Sequence, residues 1–164
     1  MRRRIKEKPT ALVKAVELLA QQEHSEAKLR EKLMRREYTE DEIDYAFERL
    51  REKHYLNDEE ACHRQFGYFF EDGRMSVRQI CQKLIQRGFP RELVYSCIPE
   101  DKEEHEEEAA FRAACGHFRS TVKRDKIKQF LYRRGFSFSV CEAAVHRFSE
   151  EYPDRIEEEQ YFDE

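Results

Sequence analysis

Apolar residues recur along this chain at helical rather than strand spacing, and they do so three times in one register. Leu29, Leu33, Arg36 and Tyr38 return as Ile80, Leu84, Arg87 and Phe89, and again as Ile127, Leu131, Arg134 and Phe136. Downstream, Ile43, Ala46 and Phe47 fall at the same offsets as Val94, Cys97 and Ile98, and as Cys141, Ala144 and Val145. A block that recurs at about one helical-repeat length marks units that bury their apolar faces against neighbours. The pattern predicts an all-α chain of three tandem three-helix repeats forming an elongated, curved array.

Start and stop signals divide the units into helices. Helices are predicted over 10–22, 25–37, 39–53, 103–118, 122–134 and 138–150, with three more opening at Asn57, Ser76 and Pro90. Thr39 with Glu42, Asn57 with Glu60, and Ser76 with Gln79 have the spacing of capping boxes, in which hydroxyl or amide and carboxylate satisfy each other's orphan amides. Pro90 suits a first turn, where its missing amide hydrogen costs nothing, and Gly88 and Gly135 suit left-handed stops. The first copy carries Glu37 at that position, so its helix end is expected to be strained or to lack the same stop. The expected units are 10–55, 56–101 and 102–151, preceded by a basic arm at 1–9 and followed by an acidic tail at 152–164, expected to be disordered.

Composition supports the array. Charged residues make up 40% of the 164, well above the usual quarter, which suits stacked small units with much surface. The net charge of −4 argues against indiscriminate nucleic-acid binding. It hides segregation, with Arg2, Arg3, Arg4, Lys6 and Lys8 at the start and acidic stretches at 100–108 and 157–164. The five cysteines form no Cys-x-x-Cys pair and sit among apolar neighbours, the pattern of buried thiols in a reducing compartment. Lys14 and Glu17 interrupt the stretch from Ala11 to Ala20, so neither a signal-peptide core nor a membrane span is expected, and Glu7 with Glu17 spoils an organellar transit pattern. A soluble, cytoplasmic protein is expected.

No catalytic grouping stands out, and no enzyme, metal or cofactor is expected. The five glycines are too scattered to cradle a phosphate, and Cys115 with His117 lies at an offset that points the two to different helix sides. The acidic run Glu103, Glu104, Glu106, Glu107 and Glu108 reads as a solvated helix start favoured by the macrodipole. The eighth helix is more telling. With Ile127, Phe130 and Leu131 buried, Arg124, Lys128 and Tyr132 fall on one flank and Lys126 and Arg133 on the other, cations with an aromatic such as a phosphate backbone attracts. Lys28, Arg30, Lys32, Arg35 and Arg36 make the second helix the next candidate. Arg36, Arg87 and Arg134 recur in the last turn of each middle helix, where a cation complements the dipole and its stem covers the apolar stripe, a structural role.

The segment Lys126-Ile-Lys-Gln-Phe-Leu-Tyr-Arg-Arg-Gly-Phe136 resembles the most characteristic stretch of the bacterial regulatory RecX family. Tyr55-Leu-Asn-Asp58 followed by Ile80, Leu84, Arg87 and Gly88 is similar to that family's central signature, and Ser25, Leu29, Lys32 and Leu33 to its first unit. The likeness spans about Ala11 to Phe148. It implies three tandem three-helix units and a non-enzymatic modulator of RecA filaments, mainly inhibiting ATP hydrolysis, strand exchange and co-protease activity. It implies RecA filaments as partner and single-stranded DNA phosphates as a further contact; no membrane partner is expected, and repeats stacked in a row predict an elongated monomer. The chain departs from the family in Phe69-Phe-Glu-Asp-Gly-Arg-Met75, where Glu71 and Asp72 replace a basic loop. Two other functions fit the same helices: a DNA-binding protein using one unit as a helix-turn-helix, and a helical-repeat interaction scaffold.

Overall fold

The computed structural model describes residues 8–157. Nine α-helices run through them: α1 Ala11–Gln21, α2 Glu26–Met34, α3 Glu40–Glu52, α4 Asp58–Asp72, α5 Val77–Gln86, α6 Arg91–Ser96, α7 Glu103–His117, α8 Arg124–Arg133 and α9 Phe138–Glu151. Thr10, Ser25, Thr39, Ser76 and Ser137 each accept a third-residue amide at a helix start, so small hydroxyl residues punctuate the chain as the pattern required. The capping boxes of Thr39 with Glu42 and Ser76 with Gln79 are complete.

Three separate cores form, one per three helices. The first gathers Leu29, Leu33, Ile43, Phe47 and Leu50; the second Phe66, Ile80, Leu84, Phe89 and Val94; the third Ile127, Leu131, Phe136, Val145 and Phe148. The repeated apolar positions are therefore the centres of the units.

One joint is used twice to connect them. Ser25, capping α2, donates its hydroxyl to the Arg87 carbonyl of the second unit at 2.6 Å, and Ser76, capping α5, donates to the Arg134 carbonyl of the third at 2.6 Å. Beside each serine, the first amide of the same helix finds an acid from the next unit: Glu26 donates to Asp58 at 2.9 Å and Val77 to Glu106 at 2.8 Å. The carboxyl of Asp58 titrates above its ordinary range because it is partly buried there. At the second joint Phe70 also stacks on His105 with ring centroids 3.6 Å apart, and burial holds that imidazole's pKa below its ordinary value.

Five sequence expectations need correcting. Glu60 does not return to the Asn57 amide, so Asn57 caps α4 by accepting from Glu59 and Glu60 without a box. Pro90 is the cap residue of α6 and not its first turn, its ψ of 141° lying outside the helix. Helix α8 opens at Arg124, because buried Val122 pairs with Ile156 in an isolated parallel bridge, donating to the Arg155 carbonyl at 2.8 Å. The expected disordered tail consequently begins ordered: Pro153–Arg155 is a 3-10 turn, and Tyr152 and Ile156 pack on the third core; its remainder lies outside the described residues. Glu106 is not solvated but buried at the second joint. Cys62, Cys81, Cys97 and Cys141 are buried as expected, while Cys115 is only partly so.

Candidate functional site

Both cationic helices keep their exposed faces, but their charges have different partners. On α2, Lys28 bridges to Glu31 at 2.8 Å, Arg30 to Asp44 at 2.6 Å, and Arg35 also to Glu31, whose carboxyl is held below its ordinary pKa by the Lys28 bond and then by the charge of Arg35. Arg30 also lies over the Phe47 ring. Lys32 meets His24 at 3.2 Å, and Arg36 donates to the Lys32 carbonyl at 2.7 Å. This helix spends its cations within its own unit.

Helix α8 spends one. Lys128 bridges to Glu142 of α9 at 2.7 Å, and that bond raises the lysine's pKa. Arg124, Lys126 and Arg133 are exposed and make no ion pair among the described residues, and Tyr132 is 67% exposed beside them. Ile127 and Leu131 are fully buried, which fixes the helix's rotation and leaves Arg124 and Tyr132 on one exposed flank and Lys126 and Arg133 on the other. A helix of 10 residues, locked from below and cationic above, can meet an anionic surface without first breaking internal bridges.

Two of the three repeated arginines cover aromatic rings: Arg87 lies 4.9 Å over Phe69, and Arg134 lies 4.5 Å over Phe130. Around Phe130, His117 stacks at 4.2 Å and Phe118 meets its edge at 5.2 Å. Among the described residues no group of three or more His, Cys, Asp or Glu side chains could hold a metal ion. No described helix is long and apolar enough to cross a membrane.

Comparison with known proteins gives one consistent result. Family models of the first and third three-helix domains of RecX match residues 11–50 and 105–145. The chain is 33% identical over 144 residues to the regulatory protein RecX of Thermus thermophilus, covering 86% of this chain and 94% of that one. To the RecX of Syntrophotalea carbinolica it is 29% identical over 145 residues, covering 84% and 93%. The crystal structure of RecX from Lactobacillus salivarius superposes with a TM-score of 0.72 at 17% identity, over 85% of this chain and 95% of that one. A second RecX crystal structure gives 0.71 at 21%, over 83% and 71%; at such identities the likeness speaks for the fold.

Proposed function

The chain belongs to the RecX family of regulatory proteins, and from that premise we propose that it binds RecA nucleoprotein filaments and restrains their ATP hydrolysis, strand exchange and co-protease activity. The observation that supports contact through the third unit is the contrast between the two basic helices: at α2, Lys28, Arg30 and Arg35 are paired with carboxylates of their own unit and only Lys32 and Arg36 are not, whereas at α8 Arg124, Lys126 and Arg133 all point outward without carboxylate partners among the described residues. Unpaired cations on both flanks of α8 meet the phosphates of the filament's single strand or an acidic surface of the recombinase. Three units on one chain can engage successive protomers, so linked weak contacts add up to tight restraint by a monomer.

The test is the triple substitution Arg124→Ala, Lys126→Ala and Arg133→Ala. Exposed changes of this kind alter stability by only about 0.5 kcal/mol each, so helical circular dichroism should persist. Inhibition of RecA on single-stranded DNA should weaken at least tenfold. Full inhibition by the triple variant would remove α8 from the contact.

A further inference from the structure

The two joints are built alike but differ in charge, and the difference outlines a site. At the first joint, Glu23 fills the notch between units. Its carboxylate accepts from Arg64 and, at 3.1 Å, from Gln65, whose own oxygen accepts from Arg87 at 2.6 Å. Aligning Ser25 with Ser76 and Asp58 with Glu106 carries Arg64 onto Arg112 and Arg87 onto Arg134, so both guanidinium positions are kept. The same alignment carries Glu23 onto Arg74 and Gln65 onto Ala113. The second joint has thus exchanged its carboxylate for a third cation and cut the neighbouring amide back to a methyl.

What results is a cleft of about 570 Å³ lined by Arg74, Arg112 and Arg134 together with Asp72, Ala113, Gly116 and His117. We propose that this cleft binds a phosphate group of a nucleic-acid strand, the external anion standing where Glu23 stands in the first joint. Arg112 is held by Glu108 through its Nε at 2.8 Å, which leaves its terminal nitrogens for the cleft, and Gly73 makes room for them, since a Cβ there would lie 3.1 Å from Nη1. Arg74 makes only a loose 3.6 Å pair with Asp72 and its side chain is 80% exposed. The Arg134 side chain forms no hydrogen bond or ion pair among the described residues and rests on Phe130.

A carboxylate with its two oxygens is satisfied in the first joint by Arg64 and Gln65. Three guanidinium groups arriving from the end of α4, from α7 and from the end of α8 suit an anion with acceptors in several directions, which is a phosphate. The His117–Phe130 stack alongside offers an aromatic surface to a neighbouring base. The identity of the strand rests on the filament reading above; the oxyanion chemistry of the cleft does not.

The experiment measures anisotropy of a labelled oligothymidine with the full chain and no RecA, with inorganic pyrophosphate as competitor. Arg74→Glu with Ala113→Gln rebuilds the first joint's internal anion. Gly116→Leu fills the cleft without changing charge, its Cβ entering open space. Lys53→Glu repeats the charge change of Arg74→Glu on exposed surface of the first unit. Both cleft variants should lose tenfold or more in affinity and about one phosphate's worth of salt dependence, Lys53→Glu should stay within twofold, and pyrophosphate should compete with the wild type only. Unchanged binding by Gly116→Leu, an equal loss in Lys53→Glu, or no oligothymidine binding by the wild type at low salt would overturn the proposal. If the cleft variants lose binding while the wild type leaves RecA untouched, the cleft stands and the filament reading falls; if RecA is restrained equally by all variants and their oligothymidine binding is intact, the reverse holds.

Discussion

At Gly88 and Gly135 the chain leaves its middle helix with φ near 91° and 90°, and both positions press against the preceding unit. A Cβ at Gly88 would come 2.6 Å from Ser25 Oγ, and one at Gly135 would come 2.8 Å from the Arg78 side chain. Two causes, left-handed backbone and a neighbour's side chain, therefore require glycine. Glu37 takes the same turn at φ 60° with no preceding unit's serine against it; its carbonyl accepts instead from Lys8 at 3.0 Å. Thermal unfolding should separate the cases. Gly88→Ala and Gly135→Ala should each cost at least the roughly 1–2 kcal/mol of a left-handed L-residue, while Glu37→Gly should stabilise by up to about 1 kcal/mol. The repeat pattern alone identified Glu37 as an exception, expecting either strain or a missing stop; the left-handed stop is made, with the strain. Why the exception falls in the first unit was not legible, because the answer is a contact between units far apart in sequence.

A helix start in this protein serves two units. Ser76 accepts the Gln79 amide to cap α5 and donates its own proton to the Arg134 carbonyl, while Glu106 takes the Val77 amide one residue further on. Removing Glu106 leaves a buried amide without a partner. Glu106→Ala should therefore cost about 1–3 kcal/mol in urea unfolding, and Glu106→Gln, which keeps an acceptor oxygen, should recover most of it. Glu104→Ala, on the exposed side of the same run, should shift stability by less than about 0.5 kcal/mol. Ser76 and Thr39 were legible as caps because each has its Gln or Glu partner three residues on; Ser25 and Ser137, which lack that partner, were not read as caps. Glu106 was hidden among five acids at a helix start, and a single residue's rotation into a joint leaves no mark on composition. The α8 cations were legible as a face, yet Glu142, which ties down Lys128, lies on another helix and could not be paired with it in advance.

Over the whole molecule, the joint appears twice, and its outer halves are altered. Lys123 stands where the third unit would need a capping serine, and Glu37 stands where the first would need a glycine. A second copy therefore cannot dock end to end through the same contacts. The three cores remain a short array whose length, rather than thickness, carries its surface, as the repeated register implied. Such a body suits a partner that is itself a repeating filament, because each added unit converts a weak contact into a local, linked one.

The most direct measurement is ATP hydrolysis by RecA on single-stranded DNA, titrated with the full chain. Suppression is expected at sub-stoichiometric ratios, with loss of the third unit from residue 103 onward costing far more than a third of the potency. RecA hydrolysing ATP at its full rate with an equimolar amount of this protein present would contradict the filament reading.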